Sequence, residues 1–451
     1  MVSASIGASR VALVRQEPEY RDDLVASSVS RALAILGVSW SELIRPGDHV
    51  VIKPNLIREG HAQRDSEWEQ IITHGTVIAT VARQVAASLK GSGSIQIADA
   101  PQSDSDFNMI ASRTGLATLI ADLRREWPTL SVDVRDLRRE VWVTNRGVVV
   151  ERRISPDVSQ GYTLVDLGDL SAFGDKDATY YGADYDVRFT NEHHKPGKHE
   201  YLLARLALDA DVFINLPKLK THKKVGVTMS LKNLVGINGD KNYLPHFALG
   251  TPARGGDEFP NSSLASELQS RSIRVFKQTL SEMPWVSRHV GAHWKRLGET
   301  IFGKTEKVIR SGNWYGNDTT WRMVLDLNRL LFHFNGDGRR RTHPLRYLSI
   351  IDGIIGGDGN GPMEADPVPS GVLIAGRNPV AVDYVGAKLM GFDWRKIPMI
   401  REAFADSELP LVQFSPDDIQ LLPGLGRSLG FRPHFGWVGH IEVEDLCEAG
   451  V

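Results

Sequence analysis

Lysines recurring at every second residue, with histidine and asparagine close by, can gather an anion. One stretch of this chain has that pattern. Lys218-Leu-Lys220-Thr-His222-Lys223-Lys224 follows Asp211-Val-Phe-Ile-Asn215, a β-branched and aromatic run that predicts a buried strand. Pro217 is expected to stop the ladder there. Lys232 and Asn233 follow inside the apolar run Met229–Ile237, where an unpaired charge would be costly. Gly236 and Gly239 then allow close backbone approach. In an open α/β sheet, ligands sit beyond the carboxyl ends of strands, so ammonium groups placed there are receivers for phosphate or carboxylate. The competing reading is a solvated lysine-rich loop. Lysines alternating with apolar residues cannot all face water, which favours the site.

Other polar residues fall at comparable places. His49-Val-Val-Ile-Lys53 predicts a strand leaving through Pro54 to Asn55, and Ser94–Asp99 a strand ending on a carboxylate. Thr73-His74-Gly75 opens a helix whose apolar face is Val77, Ile78, Val81, Val85 and Leu89, with Thr73 as its expected cap. His74 and His222 are the acid/base candidates because histidine is the group most used near neutral pH; Lys220 joins them. Lys53, Asn55, Lys218, Lys232 and Asn233 are the expected anion-binding set. Asn317, Asp318 and Arg322 open a helical run, Met323–Phe332, which Asp318 or Thr319 can cap. In that run Arg322, Asp326 and Arg329 form a polar stripe, facing either a site or solvent. Leu348-Ser-Ile-Ile-Asp352 is a strand followed by five glycines in Gly353–Pro362, whose amides could line a concave surface. Asp352, Asp358 and Asp383 are hard oxygen donors suited to Mg²⁺ or a similar divalent ion. They could equally cap amides or pair with the lysines.

Positioning these residues needs alternating strands and helices, hence an α/β fold with a mostly parallel sheet, helices on both faces and a helical insertion. Asp22–Leu36 and Leu116–Trp127 have helical spacing, and Val132–Val134 and Val141–Val150 read as strands. Residues 151–200 read as irregular loops. His193, His194 and His199 lie there without the i, i+4 spacing of a helical metal motif. Glu200–Leu208 is expected to be a short helix. Residues 1–244 and 346–451 form the two parts of the α/β core, and 245–345 an irregular, helical cap whose segment 264–309 could also meet a membrane surface.

Composition narrows the classes. A 41% hydrophobic and 24% charged chain of 451 residues fits a globular enzyme. A formal charge of −2 argues against a general nucleic-acid binder. Cys447 is the single cysteine, which excludes a cysteine-ligated iron–sulfur cluster and a disulfide framework. The N-terminus lacks an apolar signal-peptide core and no 18-residue apolar run occurs, so a cytoplasmic location is expected.

Together Ile52–Asn55, Thr73–His74, Lys218–His222, Leu231–Gly236, Asp352–Pro362 and Asn378–Asp383 resemble the motifs of a large bacterial and archaeal family known mainly as a domain of unknown function. The resemblance covers roughly residues 45–395. Gly316–Arg322 looks like a subgroup signature. Many family members add a ferredoxin-like cysteine cluster; this chain has none, so electron transfer through one is not implied. The proline that often follows the Thr-His pair is Gly75 here. A looser likeness, by strand-exit lysine and histidine, is to nickel-pincer lactate racemase. The expected function is a metal-dependent enzyme (Mg or Ni) acting on an anionic small molecule, phosphorylated or carboxylate. The alternative is a non-catalytic binder of a polyanion or cell-envelope glycan precursor.

Overall fold

The computed structural model describes residues 6–145, 148–155, 161–174, 176–182, 186–261 and 309–443. Its strands, in chain order, are β1 (Arg10–Arg15), β2 (His49–Pro54), β3 (Ser94–Asp99), β4 (Ser131–Asp136), β5 (Glu140–Asn145), β6 (Val148–Ile154), β7 (Tyr162–Asp166), β8 (Tyr180–Gly182), β9 (His194–Lys195), β10 (Lys198–Ala204), β11 (Val212–Leu216), β12 (Lys218–His222), β13 (Gly226–Thr228), β14 (Pro245–Ala248), β15 (Arg346–Asn360), β16 (Glu364–Gly376) and β17 (Gln420–Leu422). The central sheet runs β17-β1-β16-β15-β11-β2-β3-β4, with β12 lying against β15 and folded back on β13. The block β15-β11-β2-β3-β4 is parallel throughout; β16 is antiparallel to both its neighbours.

Apolar residues face both ways along these strands, so both sheet faces are covered. Val11, Leu13, Val51, Phe213, Ile351 and Ile374 belong to one core, packed with helices Thr320–His333 and Pro379–Met390. Ala12, Val14, Val50, Ile52, Ile214 and Ile350 belong to the other, packed with helices Asp22–Leu36, Gly75–Leu89 and Leu116–Glu126. Each buried Val, Leu or Ile stabilises by about 1.5–3 kcal/mol. That apolar pattern, more than any loop, sets the architecture. Between β2 and β11 the connection order divides: β2, β3 and β4 proceed to one side, β11 and β15 to the other. A parallel sheet opens a crevice beyond the carboxyl ends of its strands at such a fork. Lys53 and Asn55 leave β2 there, and Lys218 follows β11.

Several local expectations change. Pro217 does not end the ladder, because its carbonyl accepts from Asp352 N at 2.8 Å and the lysine-rich stretch continues as β12. The glycine-rich segment after Asp352 is not a concave loop but strand, paired with β16 as far as Asn360↔Glu364. Lys198–Ala204 is strand, and only Arg205–Leu208 is helical. Residues 151–200 include a three-stranded sheet, β7-β10-β9. The helix at Gly75 is capped by His74, not Thr73; the Thr73 hydroxyl instead donates to Leu216 O at 2.6 Å, tying two strand exits together. Helix Thr320–His333 is capped by neither Asp318 nor Thr319. Asn317 Oδ1 accepts from Thr319 N and Thr320 N at 3.1 and 2.8 Å. Within the segment expected as a cap, helix Thr320–His333 packs in the first core. Segment 264–309, proposed for membrane contact, lies outside the described residues, apart from its last position. No helix among the described residues is long and apolar enough to cross a membrane.

Candidate anion-binding site

Lys53 anchors the crevice. It is 1% exposed. Its ammonium lies 2.6 Å from Asp99 Oδ1 and donates to Pro54 O at 2.9 Å and Asn233 Oδ1 at 3.1 Å. Asn233 Nδ2 donates to Lys53 O and Asn215 Oδ1, which latches β2 to β11. Gly236 permits this packing: a Cβ there would stand 1.8 Å from Asp99 Oδ1 and 2.7 Å from Lys53 Nζ. Gly236→Ala must therefore separate the ion pair, and a loss of about 1–3 kcal/mol in denaturant unfolding is expected, as for an overpacked core. An unchanged midpoint would show that the pair yields without cost.

Beyond this anchor, Lys220 and Lys232 have no ion pair among the described residues. Lys218, Lys220 and His222 share one face of β12 because strand side chains alternate. Lys220 is fully buried and donates to Ile71 O. Burial, then the charges of Lys218 and Lys232, hold its pKa well below the lysine norm. Lys232 comes from the short helix Ser230–Asn233. It is 8% exposed, and its ammonium has no hydrogen bond or ion pair among the described residues. Burial, with Lys241 and Lys53 nearby, brings its pKa down to about 7. Asp99 is the carboxylate that acts on Lys220 and Lys232, and Lys53 already occupies it.

Two histidines complete the cluster. His222 and His246 are both held well below the histidine norm by burial, and next by the charge of Lys232. Their tautomers follow from their partners. His222 Nδ1 accepts from Lys224 N at 3.1 Å, so its proton is on Nε2. His246 Nδ1 lies 2.8 Å from Leu244 O, so it donates there and Nε2 keeps the lone pair. A donor and an acceptor thus accompany one ammonium. Thr228 stands opposite Lys220 in the β12–β13 pair, which places both side chains on one face. Its Oγ1 is buried without a partner among the described residues, as is Asn55 Oδ1.

Lys218 belongs to a second, self-satisfied network. Its ammonium lies 2.9 Å from Asp352 Oδ2 and both side chains are 0% exposed. Lys218 also donates to the Tyr20 hydroxyl at 2.7 Å, and Tyr20 donates to Asp352 Oδ1 at 2.9 Å. Asp352 further accepts from His74 N at 2.9 Å. The His74 ring stacks on Tyr20 with centroids 3.7 Å apart, and burial lowers its pKa to about 4, so it is neutral near pH 7. Lysine and carboxylate here neutralise one another.

The other candidates hold the scaffold. Asp358 is bound by Arg432, at 2.7 Å from Nη2. Asp383 accepts from Ser230 N and Leu231 N at 2.7 and 2.9 Å, and burial raises its pKa to about 7. The three carboxylates expected to share a metal are therefore engaged with three different sets of partners. No group of three or more His, Cys, Asp or Glu arranged for a metal occurs among the described residues. Asp318 pairs with Lys176 and Arg322. Asn317 Nδ2 and the Thr320 hydroxyl both donate to His246 O, so this segment acts through His246 by fixing its backbone. Asp326 is not part of a surface stripe; it is 0% exposed and accepts from Ser171, Ala172 N and Tyr201. His194 lies 3.4 Å from His199, Nδ1 to Nδ1, while His193 pairs with Glu200.

Reasoning from sequence missed Thr228, His246, Lys241 and Tyr20. Thr228 was legible in principle, since Gly226 marks a turn after β12 and places Thr228 across from Lys220. His246 and Tyr20 carried no local signal, as tertiary packing alone brings them in.

A doubly covered, mostly parallel sheet defines an α/β protein. The family model "Domain of unknown function (DUF362)" matches residues 147–388, and the chain belongs to that family. A thylakoid-associated protein of Synechocystis sp. is 23% identical over 388 residues, 86% of this chain and 76% of that protein. A crystal structure of a Thermotoga maritima protein aligns at 10% identity with a TM-score of 0.37, over 82% of this chain. The chain spans 59% of that structure's length, and the likeness is too slight to add to the fold described above.

Proposed function

We propose that this protein binds an anionic small molecule, phosphorylated or carboxylate, in the crevice beyond β2 and β11, and acts on it by proton transfer. The observation that carries the proposal is Lys232, a side chain only 8% exposed whose ammonium has no ion pair among the described residues and stands among other cations. Burial and the charges of Lys241 and Lys53 disfavour its charged form, and a bound anion would favour it. The His222 Nε2 proton and the His246 Nε2 lone pair supply a hydrogen-bond donor and an acceptor near the same charge. A lysine with a pKa of about 7 can itself exchange a proton at neutral pH. Asp352, Asp358 and Asp383 enter as partners of Lys218, Arg432 and the Ser230 and Leu231 amides.

Calorimetric titration with inorganic phosphate and malonate at low ionic strength tests binding. Wild type is expected to bind at least one probe. Lys232→Met should bind it tenfold to a hundredfold more weakly, the equivalent of about 1.5–3 kcal/mol for a charged hydrogen bond. Equal affinities, or no binding by wild type, would sink the proposal. Co-purifying anions, identified by mass spectrometry and returned to fresh protein, distinguish enzyme from binder: an enzyme converts them, and a binding protein gives them back unchanged.

A further inference from the structure

We propose that the anionic group taken by this site is a phosphoryl group rather than a carboxylate, gripped by Lys220, His222, Thr228, Lys232 and His246. This rests on the anion-binding reading above and narrows it. Three features point the same way.

The first is the direction of the donors. They arrive from β12, from β13, from the helix Ser230–Asn233 and from β14. A carboxylate presents two oxygens in one plane and is matched by a planar fork, usually arginine. Among the described residues, the leading charges acting on Lys220, Lys232, His222 and His246 are lysines and Asp99. Lysines are point charges that can surround a tetrahedral group.

The second is charge. Asp99 is spent on Lys53 at 2.6 Å. Lys220 and Lys232 remain, with Lys241 held by Ala100 O at 2.9 Å. One carboxylate charge leaves this excess largely uncompensated, whereas a phosphoryl dianion brings two.

The third is hydrogen-bond polarity. His246 Nε2 offers a lone pair, and the Thr228 hydroxyl can donate or accept. A carboxylate at neutral pH only accepts. Hydrogen phosphate, a dianion that still carries one proton, both accepts from Lys220, Lys232 and His222 and donates to His246.

The test is calorimetric titration of the full chain with inorganic phosphate, methylphosphonate, acetate and malonate at pH 7. Wild type, Thr228→Val, Thr228→Ser and Lys232→Met are compared, with circular dichroism to confirm folding. Phosphate and methylphosphonate are expected to bind at least about tenfold more tightly than either carboxylate. Thr228→Val should weaken phosphate about fivefold, the loss of one neutral hydrogen bond, and Thr228→Ser should retain it. Malonate or acetate binding as tightly as phosphate, or a Thr228→Val protein that binds phosphate normally, would overturn the phosphoryl assignment while leaving an anion site. Failure of all four probes to bind wild type would overturn both.

Discussion

Replacing Lys232 with methionine should make the unliganded protein more stable and, at the same time, unable to hold anions. Methionine keeps most of the side-chain length and removes a charge that burial and the neighbouring Lys241 and Lys53 disfavour. Removing a disfavoured charge should stabilise the folded state. The gain has a defined pH dependence. The folded-state pKa of Lys232, about 7, lies below the ordinary lysine value of 10.5. Between those values the unfolded chain binds more protons than the folded one, so this group makes wild type more stable as pH rises. The penalty that methionine relieves is complete below pH 7 and fades toward pH 10. Urea unfolding of both proteins at pH 6.5 and pH 9 measures it: the variant should lead clearly at 6.5 and by less at 9. A variant less stable than wild type at pH 6.5 would show that the ammonium is already paired. Saturating anion should reverse the order, since only wild type gains by binding. Stability given up at a site for the sake of binding is a general feature of functional residues.

Asp352→Asn should have the opposite and larger effect. The carboxylate receives Lys218, the Tyr20 hydroxyl and the backbone N–H groups of His74 and Ile354. Neither Asp352 nor Lys218 has any exposure, and removing one partner of such a pair leaves a buried charge uncompensated, at about 3–5 kcal/mol. Asparagine also turns one acceptor into a donor that would face Lys218 or an N–H group. The variant should unfold at markedly lower urea with an unchanged denaturant slope. Adding Lys218→Met to Asp352→Asn should recover much of the loss, because the stranded charge is then gone. If the double variant is as unstable as the single, the loss comes from the His74 and Ile354 amides rather than from Lys218. If Asp352→Asn is neutral, the carboxylate does not hold this network, and its availability to a metal would have to be considered afresh.

The local sequence determined a good deal. Apolar alternation placed β2, β3 and β11 to within a residue, because burial on both faces leaves strands no other composition. Helical spacing gave Asp22–Leu36, which has a strong local stop in Gly37, held in the left-handed conformation. The lysines at strand exits were legible for the same reason, since charge beside an apolar strand has few places to go. Tertiary structure decided which charges are satisfied. Lys218, Lys53 and Lys232 look alike along the chain, yet the sheet order sets Lys218 against Asp352 and Lys53 against Asp99, and leaves Lys232 among other cations. The same order gives Asp352, Asp358 and Asp383, read from sequence as hard oxygen donors or lysine partners, three different sets of partners. Charge pairing depends on distances of a few ångströms between residues far apart in sequence. A hydrophobic pattern fixes which face a side chain takes, and only the packed fold fixes what it meets there.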